Sequence, residues 1–72
     1  MKVFSKQKMM ERLEKEGRAH LVDEESAQIM DMLDGQEARK NDFKALIYDE
    51  LEYYVSYNGD NYPVNPNDCI EK

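Results

Sequence analysis

Seventy-two residues make one domain with a small core. A chain this short buries only about 60% of its unfolded surface, so its stability margin is thin. Cys69 is the only cysteine, which excludes an internal disulfide staple, and the net charge of −6 disfavours nucleic-acid phosphate, whose affinity comes largely from Lys and Arg.

The charge is unevenly spread. Residues 1–20 carry six bases against three acids, and residues 21–72 carry four bases against thirteen acids. An acidic body keeps a protein soluble and suits a basic protein partner. No apolar run approaches the roughly 20 residues of a membrane span. MKVFSKQK has no hydrophobic stretch behind its lysines, so a cytoplasmic setting and a complete small reading frame starting at Met1 are the expectations.

In chain order, Val3-Phe4-Ser5 opens a helix expected over residues 6–16. Ser5 is a good N-cap, and Phe4 with Met9 forms a hydrophobic staple. Met9, Met10 and Leu13 mark its buried stripe, Arg12–Glu16 and Glu11–Lys15 lie on its wet side, and Gly17 fits the left-handed position after its end. Arg18 to Val22 is a connector. Asp23 caps a second helix over residues 24–34, with Glu24 and Glu25 where the helix dipole favours anions. Ala27, Ile29, Met30 and Leu33 give its stripe, and Asp34-Gly35 ends it. The two read as a helical hairpin.

Residues 36–42 are polar, a loop or a short first strand over Gln36–Arg39, followed by a turn at Lys40-Asn41-Asp42. The next run, FKALIYDELEYYVSYNGDNYPV, holds all five tyrosines and reads as strands over 43–48, 51–57 and 60–64. Asn58-Gly59 is a strong type I′ hairpin signal, because both residues tolerate φ > 0. It sets Tyr57 opposite Asp60, Val55 opposite Tyr62 and Tyr53 opposite Val64. Leu51, Tyr53, Val55, Tyr62 and Val64 then form a core face, with Tyr54, Ser56, Asn61 and Pro63 opposite. An earlier turn at Asp49-Glu50 joins residues 43–48 to 51–56. Asn65-Pro66-Asn67-Asp68 describes one helical or 3₁₀ turn, Cys69 and Ile70 tuck onto the core, and Glu71-Lys72 fray.

The fold class is α+β: a helical hairpin on an antiparallel β-meander of three to four strands, which can curl toward an SH3-like barrel. No catalytic constellation emerges. Cys69 and His20 are not spaced as a pair, one Cys and one His cannot complete a zinc site, and NGDNYPVNPND does not match a calcium loop. The chain is expected to be no enzyme and to need no cofactor or metal. Exposed tyrosine among carboxylates gives contact area at low entropic cost. Tyr48, Glu50, Glu52, Tyr54 and Tyr57 are therefore the candidate protein-binding residues. Met9, Met10, Met30 and Met32 in the two helices read chiefly as core facing the meander, with any surplus lining an adaptable groove or a homodimer seam.

The opening MKVFSKQKMMERLEKEGR, the middle MDMLDGQEA and the close YPVNPNDCIEK resemble small hypothetical proteins of phages and prophages in Gram-positive, Clostridia-like bacteria. Lys2 to Lys6, Asp34-Gly35, Tyr62 to Val64 and Asp68-Cys69 carry the resemblance. It implies a mobile element inside a bacterial host and gives no residue a role. Small acidic phage proteins of this kind are sometimes inhibitors of host defence nucleases. The expectation is a non-enzymatic binding module for a host or phage protein with a basic surface, with an assembly accessory acting as a homo-oligomer as the alternative.

Overall fold

The computed structural model describes residues 1–40 and 53–72. The fold is α+β. Strand β1 (Lys2–Phe4) leads into helix α1 (Lys6–Lys15), a 3₁₀ turn (Ala19–Leu21) and helix α2 (Glu24–Leu33). Next come short strand β2 (Arg39–Lys40), the hairpin β3 (Tyr53–Tyr57) and β4 (Asp60–Val64), a second 3₁₀ turn (Pro66–Asp68) and β5 (Cys69–Glu71). The strands form two antiparallel ladders, β1-β5 and β2-β3-β4.

The hairpin forms as its turn chemistry requires. Asn58 and Gly59 both have positive φ, 51° and 84°. The register sets Tyr53 against Val64, Val55 against Tyr62 and Tyr57 against Asp60. Alternation then turns Val55 and Val64 into the core, with Tyr53, Tyr57 and Tyr62 packed on it. The free side of β3 is taken by β2, with Arg39 opposite Tyr54 and Lys40 opposite Tyr53. Lys40 is thus a strand residue and not the start of a turn. The expected strand over 43–48, the turn at Asp49-Glu50 and the segment 51–52 lie outside the described residues.

Both helices start on their expected caps. The Ser5 hydroxyl accepts from the Lys8 backbone N–H at 3.2 Å, and an Asp23 carboxylate oxygen accepts from the Ser26 N–H at 2.8 Å. Gly17, at φ 70°, comes just after the end of α1. The second 3₁₀ turn is capped by Asn65, whose side-chain oxygen accepts from the Asn67 N–H at 2.9 Å.

The chain ends depart from expectation. Val3 and Phe4 do not open a helix; they are a buried strand bonded on both edges. On one side β1 pairs with β5, Phe4 opposite Cys69. On the other, the Phe4 N–H donates to the Gln36 carbonyl at 2.9 Å and the Ala38 N–H to the Lys2 carbonyl at 2.8 Å. Glu71 and Lys72 do not fray. Glu71 sits in β5, and the Lys72 N–H donates to the Met1 carbonyl at 2.7 Å. Strand alternation sends Cys69 inward with Phe4, so Ile70 faces the other way and is 37% exposed. The physical reason is long-range pairing: three residues at each end complete each other's backbone hydrogen bonds.

The core is one cluster of Phe4, Leu33, Ala38, Val55, Val64 and Cys69, with Met9 and Ile29 from the helices packed on it. Met9 packs on the cluster that contains Phe4, although Phe4 belongs to a strand.

Candidate functional site

Where the helical hairpin meets the end of β4, a cleft of about 470 Å³ opens to solvent. From α1 it is lined by Met9, Arg12 and Leu13; from the connector by Arg18, Leu21 and Val22; and from α2 by Ser26, Ile29, Met30 and Leu33. Tyr62 and Pro63 close it on the sheet side. Its lining is mostly apolar because both helical stripes turn toward it. Leu21, in the first 3₁₀ turn, lines the cleft while remaining 62% exposed.

An ion pair ties the cleft wall together. Asp68, 2% exposed, takes both ends of the Arg12 fork: Nε donates to Oδ1 at 2.7 Å and Nη2 to Oδ2 at 3.0 Å. The bidentate geometry matches guanidinium to carboxylate. Nη1 of the same Arg12 donates to Glu16 at 3.1 Å, and Arg18 Nη1 donates to Glu16 at 3.2 Å. Accepting from Arg12 is the main reason the Glu16 carboxyl is held below its usual range, while Asp68 pushes the Arg12 pKa further above its already high value. Placing Arg12 wholly on the wet side of α1 missed this. The signal was its spacing: Arg12 lies three residues after Met9 and one before Leu13, which puts it at the edge of the buried stripe.

The five candidate binding residues are spread apart. Tyr54 is half-buried on the outer face of β3, cross-strand from the cleft-lining Pro63. Tyr57 is on the inner face and packs against the core cluster. Tyr48, Glu50 and Glu52 lie outside the described residues. Met9 and Met30 line the cleft, whereas Met10 and Met32 are half-buried and do not line it.

The nucleophile and the base of a hypothetical Cys–His pair sit on different elements. Cys69 is buried, its thiol donating to the Asn65 carbonyl at 3.6 Å, and burial pushes its pKa up and away from the reactive thiolate. His20 is exposed in the first 3₁₀ turn. Among the described residues no group of His, Cys, Asp and Glu is arranged to hold a metal ion, and no helix is long and apolar enough to cross a membrane.

No protein-family model matches the chain, and neither does any curated protein or solved structure.

Proposed function

We propose that this protein is a non-enzymatic protein-binding module. It takes a partner's apolar side chains into the cleft and sets the partner's basic residues against α2. The cleft carries the reading: an open, mostly apolar cavity of about 470 Å³ has the size of a ligand pocket, and such concavities are where ligands and partner segments bury apolar surface.

Charge supports the choice of partner. Helix α2 contains Glu24, Glu25 and Asp31 and no base, and Asp23 and Asp34 flank it. Tyr54, cross-strand from the cleft-lining Pro63, extends the contact area on the sheet side of the cleft, whereas Tyr57 packs on the core and is not part of this surface. With the resemblance to small phage and prophage proteins, the partner is a basic-surfaced protein of the bacterial cytoplasm, and inhibition of a host defence protein is the biological role.

Titration of isotope-labelled protein by nuclear magnetic resonance tests this. The probe is a designed amphipathic helical peptide with leucine on one face and lysine on the other. Its control carries glutamate in place of lysine. Saturable shifts at Leu21, Ile29 and Met30 with the lysine peptide alone are expected; none with either peptide removes the cleft as a binding site.

A further inference from the structure

Asn58 and Gly59 stand at the exposed tip of the hairpin. The Gly59 N–H donates to no backbone carbonyl among the described residues. Nothing lies within 4 Å of where a Gly59 Cβ would stand, so the turn around that nitrogen is uncrowded. The side-chain amide of Asn58 precedes the same nitrogen at the spacing that closes a five-membered ring.

We propose that Asn58-Gly59 is a self-modification site, at which Asn58 converts to aspartate and isoaspartate with water as the only co-reactant. The Gly59 nitrogen attacks Cγ of Asn58. A bond forms between them, the Gly59 proton leaves to a solvent base, and the side-chain nitrogen takes a proton from water and departs as ammonia. Water then opens the cyclic imide. Breaking the bond from Cγ to nitrogen gives aspartate in the ordinary chain. Breaking the bond from the backbone carbonyl carbon to nitrogen leaves the chain running through Cγ, which is isoaspartate. Nothing is oxidised or reduced. A carboxylate replaces a neutral amide in both products, so the net charge becomes one unit more negative than −6.

The turn supplies the reactive geometry. Closing the ring holds ψ of Asn58 at about −120° while φ stays positive, and those are the torsions of the first central residue of a type II′ turn. Asn58 already has the positive φ, 51°. Types I′ and II′ both close a two-residue hairpin loop. Turning over the one peptide between Asn58 and Gly59 therefore reaches the reactive form with Tyr57 still paired with Asp60. That flip takes Gly59 from its φ of 84° to about −80°, and glycine adopts both without steric cost.

The other described asparagines lack this combination. Asn65 precedes Pro66, which has no N–H to give up. The nitrogen after Asn67 belongs to Asp68, and its N–H donates to the Asn65 carbonyl at 2.9 Å. Asn61 precedes Tyr62, a strand residue paired with Val55. Isoaspartate adds a methylene to the backbone at the tip, which loosens the register that carries Tyr62 and Pro63 to the cleft. Aspartate keeps the turn, because it too tolerates positive φ.

Incubation of the full chain in heavy-oxygen water at mildly alkaline pH, followed by peptide mapping, tests the site. Folded protein is compared with the same chain unfolded in urea. Residue 58 is expected to gain one solvent oxygen and to separate into two products, ahead of Asn61, Asn65 and Asn67. The folded chain is expected to react within about tenfold of the rate in urea, whereas a reaction that required unfolding would be slowed about a thousandfold or more. Asn58→Gln, which would need a larger ring, is expected to gain no oxygen at residue 58. A folded chain whose Asn58 survives while the unfolded chain converts overturns the proposal, as does another asparagine converting first. Once separated, the isoaspartate form is expected to melt at a lower temperature than the aspartate form; equal melting overturns the effect on register.

Discussion

Arg12 and Asp68, 56 residues apart, share a two-pronged contact of 2.7 and 3.0 Å that fastens α1 to the turn before β5. The Ser5 N–H donates to the Asp68 carbonyl at 2.8 Å, so one residue caps the junction of β1 and α1 while its side chain holds the middle of α1. Asp68 is buried, and its charge needs the guanidinium close by.

Removing the arginine leaves that carboxylate unpaired in the interior. Arg12→Met is expected to lower stability by about 3 to 5 kcal/mol, the usual cost of stranding one member of a buried pair. Arg12→Lys recovers only part, because an ammonium cannot reproduce the fork. The double variant Arg12→Met with Asp68→Leu is expected to be more stable than Arg12→Met alone. Urea midpoints at constant slope measure all three, and a single variant within experimental error of wild type would show that the pair is dispensable.

The hairpin offers a backbone test. Gly59 at φ 84° occupies the left-handed region, with nothing within 4 Å of where a Cβ would stand. Gly59→Ala therefore meets no clash and isolates the backbone cost, expected at about 1 to 2 kcal/mol. Asn58→Gly, at φ 51°, is expected to change stability by only a few tenths of a kcal/mol. Thermal melts compare the two; a larger loss from Asn58→Gly than from Gly59→Ala contradicts the turn assignment.

These local features were legible in the sequence because each is decided within four residues. Asn58-Gly59 fixes a turn, and the turn fixes the register of every pair back to Tyr53 and Val64. Ser5, Asp23 and Asn65 each cap the helical turn immediately after them. What sequence reasoning missed is non-local. Val3 and Phe4 have residues suited to either a helix entry or a strand, and only β5 and residues 36–38 decide for strand. Arg12 has a visible partner one turn away in Glu16, which hid the more buried one in Asp68. The cleft depends on how α1, α2 and β4 are set against one another, and no spacing along the chain encodes that.

Acid destabilises through carboxylates held below their usual range. Asp23 is lowered from 3.8, first by the Ser26 backbone N–H, and Glu16 from 4.5, first by Arg12. A group whose pKa is lower in the folded state stabilises fully above its unfolded value and loses that contribution as pH falls through its folded value. The stability of wild type is therefore expected to drop below about pH 4.5 and to keep falling past 3.8. Asp23→Asn preserves a capping oxygen without a titrating proton. Its urea midpoint is expected to fall less steeply than wild type below about pH 4; parallel curves would mean the cap carries no charge-dependent share.

Base acts through Cys69. Burial against Phe4, Val55 and Val64 raises its thiol pKa above the ordinary 9.0. The sign is opposite to that of the carboxylates: the folded state holds the proton more tightly, so its contribution is complete below pH 9.0 and lost as pH climbs from there toward the folded value. Cys69→Ala removes the titration at the cost of a small cavity, expected at about 1 kcal/mol and independent of pH. The difference in urea midpoint between wild type and Cys69→Ala is thus expected to be constant between about pH 6 and 8 and to shrink above pH 9.0. A difference that stays constant to about pH 10.5 would place the thiol in contact with solvent rather than in the cluster with Phe4.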